Sequence, residues 1–99
     1  MENTRPETVI EVDKEFVGQL KFPDNKVIPD KNHFSELQMN LHRATSLGNL
    51  SKHKVEIVFE DIEGIKKVNT TIWAITDHNV LLKGGLTIPV HRIHSVSLL

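Results

Sequence analysis

His91 and His94 stand three residues apart, a spacing that lets two imidazoles share a cation from one helical turn. A stable site of that kind needs a third ligand, and Asp77 or His78 supplies one only if the 76–79 turn folds beside the pair. The chain has no His-Glu-x-x-His and no cysteine. The simpler expectation is two surface histidines flanking Ile93, with no metal site. Trp73 is the single tryptophan, and tyrosine is absent. A lone exposed indole on a sheet can stack a base. In a small domain it more often fills the space between sheet and helix, and that is the expectation here. Lys52, Lys54, Lys66 and Lys67, with His53 and Lys83, make a basic patch if the strand ends converge. Together with Trp73, those four lysines are the candidate nucleic-acid-binding residues. The competing expectation is cross-strand pairing of lysines with Glu56 and Glu60, and a net charge of -1 favours it.

No catalytic constellation emerges. Lys83-Gly84-Gly85 lacks the glycine spacing and the following Ser/Thr of a phosphate loop, and is a tight turn instead. Ser35, Ser46, Ser51, Ser95 and Ser97 lie in no nucleophile-elbow context, and Thr70 and Thr71 have no adjacent base. Glu60, Asp61 and Glu63 fall on an expected exposed turn, where nothing shifts a carboxylate for acid–base work. The chain is therefore expected to be non-enzymatic and without a cofactor.

The elements that position these residues can be read from patterning. Phe34, Leu37, Leu41 and Ala44 recur at helical spacing, which predicts an amphipathic helix over 31–47. Asp30 or Asn32 is its expected N-cap, and Gly48 its expected end. Val55, Ile57 and Phe59 alternate with Lys54, Glu56 and Glu60 in a strand over 54–60. After the turn at 61–64, a long strand over 65–75 carries apolar residues on both faces, as a bent strand serving two parts of a barrel does. In that strand Val68, Ile72 and Ala74 are expected to point one way, and Asn69, Thr71, Trp73 and Ile75 the other. Val80–Lys83 and Thr87–Val90 follow across the double-glycine turn. Pro89 places the latter at an edge, and a last strand covers 95–98. The first 30 residues are ambiguous. Residues 8–12 and 16–22 have strand composition and suggest a hairpin. Val9, Val12, Phe16 and Leu20 also fit a helical stripe, with Thr4-Arg-Pro-Glu7 as its start.

A helix followed by short strands, with a single-turn crossover before the last, is the order of an SH3-like or Sm-like small barrel. Residues 47–98 resemble a group of short bacterial proteins of that pattern without an assigned activity. The resemblance rests on Leu47-Gly48-Asn49, Thr70-Thr71-Ile72-Trp73-Ala74, Leu82-Lys83-Gly84-Gly85, Ile88-Pro89, Ile93 and Val96. It implies a fold and no activity. The expected fold class is thus α+β: one domain over 1–99, with an N-terminal hairpin or short helix in 1–30. The helix over 31–47 packs on a small antiparallel barrel over 54–98.

Composition bounds the rest. Ninety-nine residues suffice for one domain, and 38% apolar with 25% charged residues is neither disordered nor membrane-like. No apolar run approaches the about 20 residues of a spanning helix. The absence of cysteine and a polar, mixed-charge N-terminus fit the cytoplasm. Residues 1–30 carry seven acids against four bases, and all six histidines lie beyond them. The expected function is an interaction or regulatory module binding a protein partner, with the edge around Thr87–Val90 as one docking place. A small RNA- or single-stranded-DNA-binding barrel is the alternative, and a histidine-based metal protein or enzyme a second. Self-association is compatible with each.

Overall fold

The computed structural model describes residues 9–27 and 31–99, with Ser51 as backbone only. Among the described residues, seven strands, two 3₁₀ turns and one α-helix follow one another. They are β1 (Ile10–Glu11), η1 (Lys14–Gln19), α1 (Lys31–Ser51), β2 (Val55–Glu60) and β3 (Ile65–Thr70). Then come β4 (Ile72–Ile75), β5 (Asn79–Leu82), β6 (Thr87–Pro89), η2 (Val90–Arg92) and β7 (Ile93–Leu98). The molecule is α+β, with one sheet in the order β1-β3-β2-β7 and another in the order β4-β5-β6. All pairings are antiparallel except β1 with β3. No helix among the described residues is long and apolar enough to cross a membrane.

The long strand bends as its two-faced pattern predicts. Thr71 interrupts it, so that β3 serves one sheet and β4 the other. The second corner is η2, which carries the chain from β6 to β7. Here the structure departs from a closed barrel, because β6 and β7 do not pair. Pro89 offers no donor at that point, and η2 turns the backbone out of extended geometry before β7 begins. β7 instead returns to β2, with Ile57 opposite Val96. The interior between the sheets is filled by Val55, Ile57, Phe59, Val68, Ile72, Val80, Leu82, Ile88 and Ile93, none with measurable exposure.

α1 lies across the edge strands β4 and β7, one from each sheet. Leu37, Leu41 and Ala44 are buried at the predicted spacing, with Phe34 packed against them. The helix nevertheless runs four residues past the expected end. Gly48 is not a left-handed terminator but a buried residue inside the helix. A Cβ there would collide with the Ile72 carbonyl oxygen and stand 3.1 Å from Thr71 Cγ2, so glycine is what lets α1 rest on β4. The left-handed residue is Lys52, at φ 55°, whose N–H reaches the Gly48 carbonyl at 2.9 Å. That is an αL cap built on lysine rather than glycine. Asn32 is the second residue of the helix rather than a residue before it.

The N-terminal hairpin is not formed. β1 is two residues long and runs parallel to β3, with Ile10 opposite Lys66 and Glu11 opposite Lys67. The helical alternative survives only as η1. Its three-residue turn aligns Lys14, Val17 and Leu20, so Val17 enters the core while Phe16 is exposed. The expected roles of Thr4–Glu7 and of Asp30 lie outside the described residues.

Candidate functional site

The lysine cluster divides. Lys66 shares the inward face of β3 with Val68 and Thr70 and is 6% exposed. Its ammonium donates to Asp61 Oδ2 at 2.7 Å and to Glu63 Oε1 at 3.1 Å. Asp61, expected on an exposed turn, is itself 3% exposed. Its Oδ1 accepts from the Glu63 N–H at 2.8 Å and the Gly64 N–H at 3.1 Å, which closes the β2–β3 turn. Burial pushes the Asp61 carboxyl up, but the Lys66 ammonium and the two backbone N–H donors outweigh it and hold the pKa below the usual carboxylate range. The hydrogen bond to Asp61 raises the Lys66 pKa against the opposing effect of burial. Lys66 is therefore a structural cation. Strand parity carried the signal, because Lys66 is two residues from Val68 and shares its face. An aspartate three residues before a glycine likewise marks a side-chain-closed turn.

Lys67 lies on the other face, 3.8 Å from Glu56, the expected cross-strand pairing. Lys52 and Lys54 are exposed around the end of α1 and the start of β2. Of the four candidate lysines, only these two keep ammonium groups outside any ion pair among the described residues.

Trp73 overturns the core expectation, being 45% exposed. Alternation alone puts it there, because Ile72 beside it is fully buried, and a bulge between Ile72 and Ala74 then adds one extra residue to the β4–β5 ladder. Ile72 faces Leu82 and Ile75 faces Val80, both on the buried side. The bulge places Trp73 and Ala74 together on the outer face, beside half-buried Leu81. Strict alternation would have turned Ile75 outward; the inserted residue returns it to the core. The result is a small outward apolar surface of Trp73, Ala74 and Leu81.

His91 and His94 do not converge on a common point. His91 Nε2 lies 2.9 Å from the Pro23 carbonyl oxygen, and His94 Nε2 lies 2.9 Å from Glu60 Oε1. No group of three metal-ligating side chains forms among the described residues. Between them in sequence, Arg92 is 3% exposed and was not singled out by its pattern. Its Nε donates to the Glu60 carbonyl at 3.0 Å and its Nη1 to the Asn25 carbonyl at 2.7 Å. With the Val27 N–H bound to the His91 carbonyl at 3.0 Å, it straps the 23–27 segment onto η2. The Thr87–Pro89 edge is three residues long, contains a proline and has η1 beside it, all features that blunt a strand edge. Comparison with protein-family models, curated proteins and solved structures finds no match to this chain.

Proposed function

We propose that this chain is a small non-enzymatic interaction module of the SH3/Sm-like kind, which binds a protein partner through the outer face of β4 and β5. The element order supports that fold reading: one helix, a bent strand shared by two sheets, and a single 3₁₀ turn before a last strand that returns to β2. The observation that carries the binding reading is Trp73, 45% exposed beside Ala74 and Leu81. A rigid indole on an apolar surface is the type of side chain that anchors protein interfaces. The partner is expected to present an apolar side chain to Trp73. A nucleic-acid partner is less well supported, because Lys66 is spent on Asp61 and Lys67 stands against Glu56.

Trp73 is the only indole in the chain, so its emission reports on this surface alone. The tagged protein and a Trp73→Ala variant of matched thermal stability are compared in a lysate pull-down, with and without nuclease. Support is a nuclease-resistant protein held by the wild type and lost by the variant, which as a purified partner blue-shifts Trp73 emission. Retention of the same partner by Trp73→Ala refutes the reading. Nuclease-sensitive material whose binding falls steeply with salt and with Lys54→Glu transfers the assignment to nucleic acid.

A further inference from the structure

A second feature lies apart from Trp73, Ala74 and Leu81. A cleft of about 310 Å³ opens between the 11–15 segment and the corner where β3 becomes β4. Thr70 and Thr71, both buried, form its base, with Asn69 beside them. Three lysines border it from separate parts of the chain: Lys14 in η1, Lys54 before β2, and Lys83 after β5. Glu11, Asp13 and Glu15 border it as well, so the rim carries three charges of each sign. Among the described residues, none of these six groups forms an ion pair; the pairs present join other residues. Opposite charges thus border a common cavity without pairing with one another.

We propose that this cleft binds a small zwitterion, with its anionic phosphate or carboxylate directed to the lysines and its ammonium to the carboxylates. Charge balance selects this class. A plain anion would meet the lysines but also three carboxylates, whereas a ligand of both signs gains on both sides without breaking an existing pair. Size limits it as well. At about 310 Å³ the cleft stands at the lower end of the about 300–1,000 Å³ range of small-ligand pockets, which suits an amino acid or an aminophosphate. The Asn69 side-chain amide, on the opposite face of β3 from buried Val68 and Thr70, provides a neutral donor and acceptor to orient it.

The test is a ¹H–¹⁵N correlation titration of the full chain with phosphoethanolamine and with β-alanine, set against inorganic phosphate and ethanolamine alone. At least one zwitterion is expected to shift the Asn69, Thr70, Thr71 and Lys83 amides saturably, with Kd at or below about 1 mM. Each half-ligand is expected to bind at least about tenfold more weakly. Lys54→Ala with Lys83→Ala abolishes the response, and Lys67→Ala, outside the cleft, leaves it unchanged. Glu11→Gln with Glu15→Gln weakens the zwitterion but not phosphate. If neither zwitterion gives saturable shifts at these amides, the proposal is wrong. It is equally wrong if inorganic phosphate alone binds as tightly, because the site is then a plain anion site. Spectra of each variant retaining the wild-type dispersion show that a lost response is not lost folding.

Discussion

Gly48 and Lys52 together test how α1 ends and what holds it on β4. A glycine inside a helix costs about 1 kcal/mol relative to alanine, so helix propensity alone predicts that Gly48→Ala stabilises the protein. The tertiary structure predicts the opposite. The new methyl would press on the Ile72 carbonyl, a backbone atom of a paired strand that has no rotamer in which to escape, and on Thr71 Cγ2. Overpacking of this kind costs about 1–3 kcal/mol, and rigid backbone places it at the upper end. Set against the propensity gain, the net loss is about 2 kcal/mol, or a fall in Tm of about 8–16 °C for a domain of this size. Lys52→Gly goes the other way. A lysine in left-handed backbone at φ 55° carries a strain of about 1–2 kcal/mol that glycine lacks. Part of that gain is offset by the freer unfolded chain, leaving about 1 kcal/mol of stabilisation. Urea unfolding of the two variants, with the exposed helix residue in Asn49→Ala as a control, separates these effects. A Gly48→Ala protein as stable as wild type would refute the close approach of α1 to β4. A Lys52→Gly protein less stable than wild type would refute the αL cap and return the helix end to Gly48.

Other outcomes follow from the buried charges and the exposed indole. Asp61→Asn leaves Lys66 buried with only exposed Glu63 as partner, and is expected to cost about 3 kcal/mol in chemical denaturation. The pair also predicts a stability plateau in pH. The lowered Asp61 pKa contributes stability that is present above the ordinary carboxylate value, about 3.9, and lost as pH falls through the folded-state value. The raised Lys66 pKa contributes stability that is present below about 10.4 and lost as pH rises through its folded-state value. Thermal unfolding across pH should show both limbs, and Asp61→Asn should flatten the acid one. Trp73→Ala is expected to change stability by no more than about 0.5 kcal/mol, whereas a core tryptophan would cost about 3–5 kcal/mol. Arg92→Met removes the donors to Glu60 and Asn25, and hydrogen exchange should accelerate in residues 23–27 before it does so in β2 or β7.

Local patterning determined the main elements. The spacing of Leu37, Leu41 and Ala44 placed α1, and the alternation of Val55, Ile57 and Phe59 placed β2. The two glycines at φ 96° and 90° made the turn before β6 legible, because only glycine adopts such values without strain. The apolar content of both faces of 65–75 announced the bend. Each of these signals depends on a residue and its near neighbours, so no distant partner is needed to read it. What only the tertiary structure decided depends on partners far along the chain. The slip after Ile72 leaves Ala74 outward beside Trp73 and returns Ile75 to the core, since alternation says nothing about where a ladder slips by one. Asp61 and Lys66 are buried because each neutralises the other, a condition that burial propensities for lone residues do not contain. Gly48 stays inside the helix because β4 lies against it, and the left-handed turn then falls to Lys52. The failure of β6 to meet β7 arises from the geometry of η2 and Pro89 together, and it keeps the two sheets from closing into one. Lys14, Lys54 and Lys83 come from three distant parts of the sequence, and only the folded corner at Thr70–Thr71 brings them around one cleft.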